Sequence, residues 1–297
     1  MKRNHSLSTA VFCLVFLFSG NLHAQLFERW AEIVKWDGVS SWRNYMIYSP
    51  RFMGANALPV PTISNGTADS VNQFSVLHVF HFRHGDYTHN LKISANYCFI
   101  KERVSFDINW IPVEWFTVTD RVKEERHVYH IEYYAKKARG DIYCNVTFQL
   151  LNKWRKNFHL AFRAGYRYAT SSAVAAARFT DAPGYHFDLS AAKPLQEGRF
   201  KLTAMLGLYI WQLNIEGQDD AILYGGGFEY NHNNWRIVTS CRGYSGYRNN
   251  GDRPLLINSS IEKRSKRLSF LLNLQQGLHD YRYTSIETGI KYHFKTR

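Results

Sequence analysis

YTSIETGIKYHF, residues 283–294, decides how the rest of the chain is read. Ile286, Thr288, Ile290, Tyr292 and Phe294 fall on one face of an extended strand, and Ser285, Glu287, Gly289, Lys291 and His293 on the other, because successive side chains of a strand alternate. One face is apolar; the other carries both signs of charge. A soluble antiparallel sheet meets that description too. A series of such strands behind an export signal, with no long apolar helix, reads instead as a transmembrane antiparallel β-barrel.

The two-residue period recurs upstream. Phe158, Leu160, Phe162, Ala164, Tyr166 and Tyr168 oppose His159, Arg163 and Arg167, and Phe200, Leu202, Leu206, Leu208 and Ile210 oppose Lys201, Thr203 and Gly207. Segments 91–99, 104–110, 142–150 and 268–274 repeat the pattern, and weaker versions lie at 71–82, 126–135, 184–192, 221–231, 235–246 and 254–262. The expectation is an all-β barrel of about 12 strands (roughly 10 to 14), since single-chain bacterial barrels hold an even number. The strong segments run about 10 to 13 residues, which suits a tilted membrane crossing, whereas soluble strands average about 5 or 6. Short polar turns at 231–234 and 263–266 alternate with longer connections at 171–183, 214–220 and 247–253. Barrels keep short turns on the periplasmic side and longer loops outside.

Residues 1–24 read as an export signal: Lys2 and Arg3, an apolar stretch from Ala10 to Phe18, and a processing site at Leu22-His23-Ala24. Residues 70–297 form the expected barrel, and 25–69 a separate N-terminal segment. In it Phe27, Trp30, Ile33 and Val34 have helical spacing, and Asn56-Ala57-Leu58-Pro59-Val60-Pro61 is a Pro-interrupted extended stretch. Two placements stay open: a periplasmic or interfacial leader beneath the barrel, or a plug inside it. An extra strand at Tyr45 to Phe52 is a third possibility.

Lys and Arg outnumber Asp and Glu by 37 to 24, and the excess survives removal of Lys2 and Arg3. No basic arm or helix concentrates it, which argues against nucleic acid as a partner. Anionic lipids, lipopolysaccharide phosphates or anionic solutes fit better. Cys98, Cys144 and Cys241 are odd in number and widely spaced, so neither a disulfide framework nor a metal site is expected. No cofactor is implied. The chain holds 20 Phe, 19 Tyr and 8 Trp. Tyr168, Trp211, Trp235 and Tyr292 lie near strand ends, where barrels place interfacial aromatic belts.

Together the signal, the alternating strands, the aromatic belts and a last strand ending in Phe294 resemble outer-membrane β-barrel proteins of Gram-negative bacteria, porin-like barrels included. That resemblance implies an outer-membrane location, contact with lipid and lipopolysaccharide, and handling by the barrel-assembly machinery, which reads a terminal aromatic. Here Lys295-Thr296-Arg297 follow that aromatic.

On the expected registers the lumen is lined by Lys92, Asp107, Glu132, Arg163, Arg167, Asp188, Lys201, Glu229, Arg236, Arg242, Glu262, Glu287 and Lys291. Charges on the lipid face would be destabilising, so these line water or pair across the interior. The favoured reading is non-enzymatic: a narrow porin-like conduit or transport component for small polar, anionic solutes. A structural or surface-interaction barrel and a membrane-embedded hydrolase are the alternatives. Outer-membrane phospholipases pair a His with a Ser two residues on, but Asn234 stands two residues after His232, and an amide cannot act as the nucleophile. Omptin-type barrel proteases use loop Asp-Asp and His-Asp pairs, to which Asp219-Asp220 and His279-Asp280 bear a loose likeness. The 178–185 loop segment reads either as a cap or as a folded-in constriction. Gly225-Gly226-Gly227 falls within a strand, which suggests close approach of an inner element or strong bending of the wall.

Overall fold

The computed structural model describes residues 24–153, 158–213 and 217–294. Residues 1–23 of the signal peptide expected at 1–24, residues 214–216 of the loop expected at 214–220, and Lys295-Thr296-Arg297 lie outside the described residues. Twelve long strands form the wall: β1 Asn72–Arg83, β2 Asp86–Ile100, β3 Val104–Val118, β5 Ile142–Lys153, β6 Phe158–Tyr168, β7 Gly184–Leu195, β8 Phe200–Gln212, β9 Gln218–His232, β10 Trp235–Gly246, β11 Leu255–Ser265, β12 Leu268–His279 and β13 Thr284–Phe294. β4, Lys137–Ala138, is a two-residue pairing in the loop that follows β3. Each long strand pairs antiparallel with its neighbours in sequence, and β1 closes on β13 from Asn72↔Phe294 to Phe82↔Thr284. The result is a closed barrel with no free edge, so every wall amide can pair without water.

The outer face carries what the two-residue period put there: Leu202, Leu206 and Leu208 on β8, Phe270, Leu272 and Leu274 on β12, Ile290, Tyr292 and Phe294 on β13, all exposed. Tyr168, Trp235 and Tyr292 are exposed near strand ends, as in an aromatic belt. Trp211 is not; it is fully buried inside the barrel, where its indole Nε1 donates to the Tyr48 carbonyl at 3.1 Å.

Segment 126–135 is the one expected strand that does not exist. Thr119 opens a short helix, α2 (Asp120–Glu125), and a 3-10 turn follows at His130–Glu132. The amides that a ladder would have used are taken locally or by another loop: Val128 N by the Lys123 carbonyl, Tyr129 N by the Ala175 carbonyl. Glu132 therefore sits in a loop beyond the strand ends and lines no lumen. Nor is there a strand at 45–52, which follows a 3-10 turn at Trp42–Tyr45.

A helix, α1, covers 24–34, and the chain after it runs down the inside of the barrel. At the long-loop end Trp30 Nε1 donates to the His127 carbonyl at 3.2 Å, Ser49 Oγ to the Asn250 carbonyl at 2.9 Å, and Gly54 N to the Ala177 carbonyl at 2.7 Å. Midway, Arg163 Nη2 donates to the Thr62 carbonyl at 2.6 Å. Near the short turns Asn65 Nδ2 donates to Glu229 at 3.2 Å, and Ala68 N to Gln149 Oε1 at 2.9 Å. Residues 46–69 are thus a plug that enters at the long-loop end and leaves where β1 begins.

Its backbone is satisfied by the wall. The carbonyls of Ala55, Asn56, Ala57 and Leu58 accept in turn from the Tyr281 hydroxyl, the Tyr143 hydroxyl, the Arg167 guanidinium and the Tyr244 hydroxyl. Pro59 and Pro61 bring no N–H that would need a partner there. Met53, Ala55, Ala57, Leu58 and Val60 then pack with Phe179, Trp211, Leu223, Tyr244 and Tyr283 in one core inside the barrel.

Leu272 lies at mid-strand on the exposed face of β12. Leu272→Arg is expected to lower the unfolding free energy in lipid vesicles by about 2–4 kcal/mol, read from a denaturant titration.

Candidate functional site

The interior has two storeys. The upper one, at the long-loop end, is sealed by charge as well as by apolar packing. Gly85 turns the chain between β1 and β2 at φ 80°, and a side chain there would meet Thr119 Oγ1 at 2.6 Å. The turn delivers Asp86 at the head of β2. Its Oδ2 accepts from Arg126 Nη1 at 2.6 Å, Arg178 Nη1 at 2.8 Å and the Tyr283 hydroxyl at 2.7 Å. Arg178 Nε donates to Glu114 Oε1 at 2.8 Å and its Nη2 to Thr88 Oγ1 at 2.8 Å, while Asn56 of the plug donates to Glu114 Oε2 at 2.6 Å. Asp86, Glu114, Arg126 and Arg178 are all buried. Burial opposes the Arg178 charge, but the Asp86 and Glu114 carboxylates outweigh it and hold the guanidinium more firmly protonated than usual. The 171–183 loop that carries Arg178 is therefore folded into the barrel, with Phe179 in the core.

Beneath the seal lies a cavity of about 530 Å³ between the plug and the wall. Its wall carries Lys92, Arg163, Arg167, Arg236, Arg242 and Lys291 against Asp69, Asp107 and Glu287, with Asn, Gln and Ser between them. Most of these charges are paired. Lys92 meets Glu287 at 3.2 Å, Arg163 meets Asp188 at 2.8 Å, Arg236 meets Glu229 at 2.7 Å, and Lys291 meets Glu262 at 2.9 Å. Lys201 reaches Glu229 at 3.6 Å, and Asp107 accepts from Asn145 at 2.7 Å. Apart from Glu132, the charged residues expected on inner faces thus belong to the cavity wall or to ion pairs buried against it. Gly225 marks where the plug comes nearest this part of β9. A side chain there would meet Arg242 Cβ at 3.0 Å and Ile63 Cδ1 of the plug at 3.2 Å, so an inner element does approach the wall at this point.

The Asp219-Asp220 and His279-Asp280 pairs lie at the long-loop end. Asp219 is buried and Asp220 exposed, as alternation along β9 requires. His279 Nδ1 lies 2.8 Å from the Arg253 carbonyl and 3.3 Å from Asp280, whose Oδ2 accepts from Arg253 N at 3.1 Å. His232 is exposed beside the short turn at Asn233, at the opposite end of the barrel.

Neither a family model nor a curated protein matches the sequence. Among solved structures the chain is similar to an outer membrane channel from Pseudomonas putida F1, at 10% identity and TM-score 0.53, over 80% of this chain and 100% of that one. The KdgM porin gives 11% identity and TM-score 0.48 over 74% of this chain and 99% of that one. The NanC porin gives 10% and 0.49 over 74% and 98%. Identities this low speak to fold alone. The chain is a closed twelve-strand antiparallel β-barrel, a fold it shares with the Pseudomonas putida channel.

Arg178→Gln strips a partner from two buried carboxylates, a change that typically costs about 3–5 kcal/mol. A lower denaturation midpoint is expected, with part of the loss recovered in the double variant Arg178→Met/Glu114→Met.

Proposed function

We propose that this chain is a porin-like conduit for small polar solutes, anions above all, in the outer membrane of a Gram-negative cell, and that its own N-terminal segment closes it at rest. One observation carries the reading: a polar cavity with a basic excess lies directly beneath the plugged, charge-sealed mouth. A barrel serving only as a scaffold can pair its charges across a filled interior and has no need of an open polar cavity; ring-like sets of Lys and Arg are the usual means of favouring anions in a pore. Twelve strands lie between the filled eight-stranded barrels and the open sixteen-stranded porins, so a barrel of this size can hold both a plug and a narrow path. The exposed apolar band supports membrane lipid and lipopolysaccharide as its surroundings.

Opening requires the plug to shift, and its hold is noncovalent and part apolar, part polar. Besides the apolar core that the plug shares with Phe179, Trp211 and Leu223, the hold consists of single hydrogen bonds from side chains around it to successive carbonyls, plus the Asn56–Glu114 contact. In planar bilayers the intact protein should pass little current. Replacing residues 46–62 with a Gly/Ser linker of equal length should raise conductance about tenfold or more, with the reversal potential in a salt gradient shifted toward the anion. Silence of the linker variant in every salt would overturn the conduit.

A further inference from the structure

Arg242 is the one cavity-wall cation that, among the described residues, neither forms an ion pair nor holds the plug. Arg163, Arg236, Lys92 and Lys291 each have a carboxylate within 3.2 Å. Arg167 is taken by the carbonyls of Ala57 and Ala182, with Asp141 at 4.0 Å. Arg242 has Gln275 Oε1 at 3.3 Å from its Nη2, and its Nε has no partner. Yet it is 7% exposed and faces the cavity from β10. A buried guanidinium without a counter-charge is strongly destabilising. Glu287, the carboxylate whose field reaches Arg242, is bonded instead to Lys92 at 3.2 Å and Asn273 at 3.3 Å.

The neighbourhood explains what such a group is for. Ser240, Asn258, Ser260 and Gln275 surround that part of the cavity with neutral donors and acceptors. A planar guanidinium with free N–H groups matches the two oxygens of a carboxylate or phosphate, and the neutral side chains match hydroxyls. The cavity volume, about 530 Å³, lies in the range of small-molecule sites. We infer that Arg242 is the recognition point for a small hydroxylated oxyanion, bound in the cavity beside the plug. The inference rests on the conduit reading and names the solute class that the conduit would take.

Calorimetric titration of the intact protein in detergent micelles tests it, with gluconate, glycerol 3-phosphate and glucose as probes. One or both anions should bind saturably and glucose should not; which anion binds tells carboxylate from phosphate. Arg242→Gln should weaken anion binding about tenfold or more, and Arg242→Lys should keep part of it. Gln275→Glu places a carboxylate on the Arg242 fork with almost no change in volume, and should abolish binding while leaving heat-modifiable migration on gels intact. Undiminished binding in Arg242→Gln and Gln275→Glu, binding of glucose as tight as that of the anions, or no anion binding by the parent protein would each overturn the site. Anion-selective current with unaltered binding in these variants sinks the site and spares the conduit. Binding that depends on Arg242 with no current from the linker variant does the reverse.

Discussion

A chain that crosses the lumen of a membrane barrel must find a partner for every carbonyl it turns toward the wall. Here four consecutive carbonyls, Ala55 to Leu58, are met by Tyr281 from the β12–β13 connection, by Tyr143 and Arg167, which face each other on β5 and β6, and by Tyr244 on β10. This match fixes the depth of the plug. Once it is set, Met53, Leu58 and Val60 can bury against Phe179, Trp211 and Leu223, and the remaining space is pushed down into one polar cavity. The arrangement also accounts for the inward aromatics near the long-loop end, Trp211, Tyr244, Tyr281 and Tyr283, which pack on the plug beside the buried charges of the seal.

Charge completes the closure. Two guanidiniums and two carboxylates share a buried network with Tyr283, Thr88 and Asn56. Each charge has a partner of opposite sign, which is the condition under which such a group is tolerated away from water. The network joins the β1–β2 turn, the loop after β3, the 171–183 loop and the plug, so the outer mouth behaves as one unit. Below it the pairing is less complete, and Arg242 is where the difference falls.

Much of the wall was legible in the sequence. On β13, β6 and β8 the apolar period of two is sustained across a membrane thickness, and lipid outside enforces it residue by residue. The period fails where lipid is not the judge. Segment 126–135 alternates by chance, while Thr119 and Asp120 just before it are ordinary helix-opening residues. Trp211 looks like a belt residue because distance from a strand end says nothing about which face it occupies. Glu114 escaped notice for a sharper reason. A bulge opposite Lys92, between Leu91↔Val113 and Ile93↔Trp110, shifts the register of β3, and Pro112 in it has no N–H for the ladder. The bulge flips the phase, so counting by twos from Trp110 puts Glu114 on the wrong side. Leader and plug could not be told apart at all. Ala, Leu, Val and Pro bury equally well in either place, and the deciding partners lie as far away as Tyr281, 226 residues from Ala55.

The central claim is that the N-terminal segment threads the barrel from the long-loop end to the short-turn end. Val39 is 90% exposed at the first, and Glu102 is exposed in the β2–β3 turn at the second. Single cysteines at these positions, with Cys98, Cys144 and Cys241 replaced by Ala, can be probed on intact cells with a membrane-impermeant maleimide. Threading predicts that Val39→Cys is labelled from outside, while Glu102→Cys is labelled only after the outer membrane is permeabilised. Labelling of both positions only after permeabilisation would mean that the segment lies beneath the barrel, and would contradict the plug.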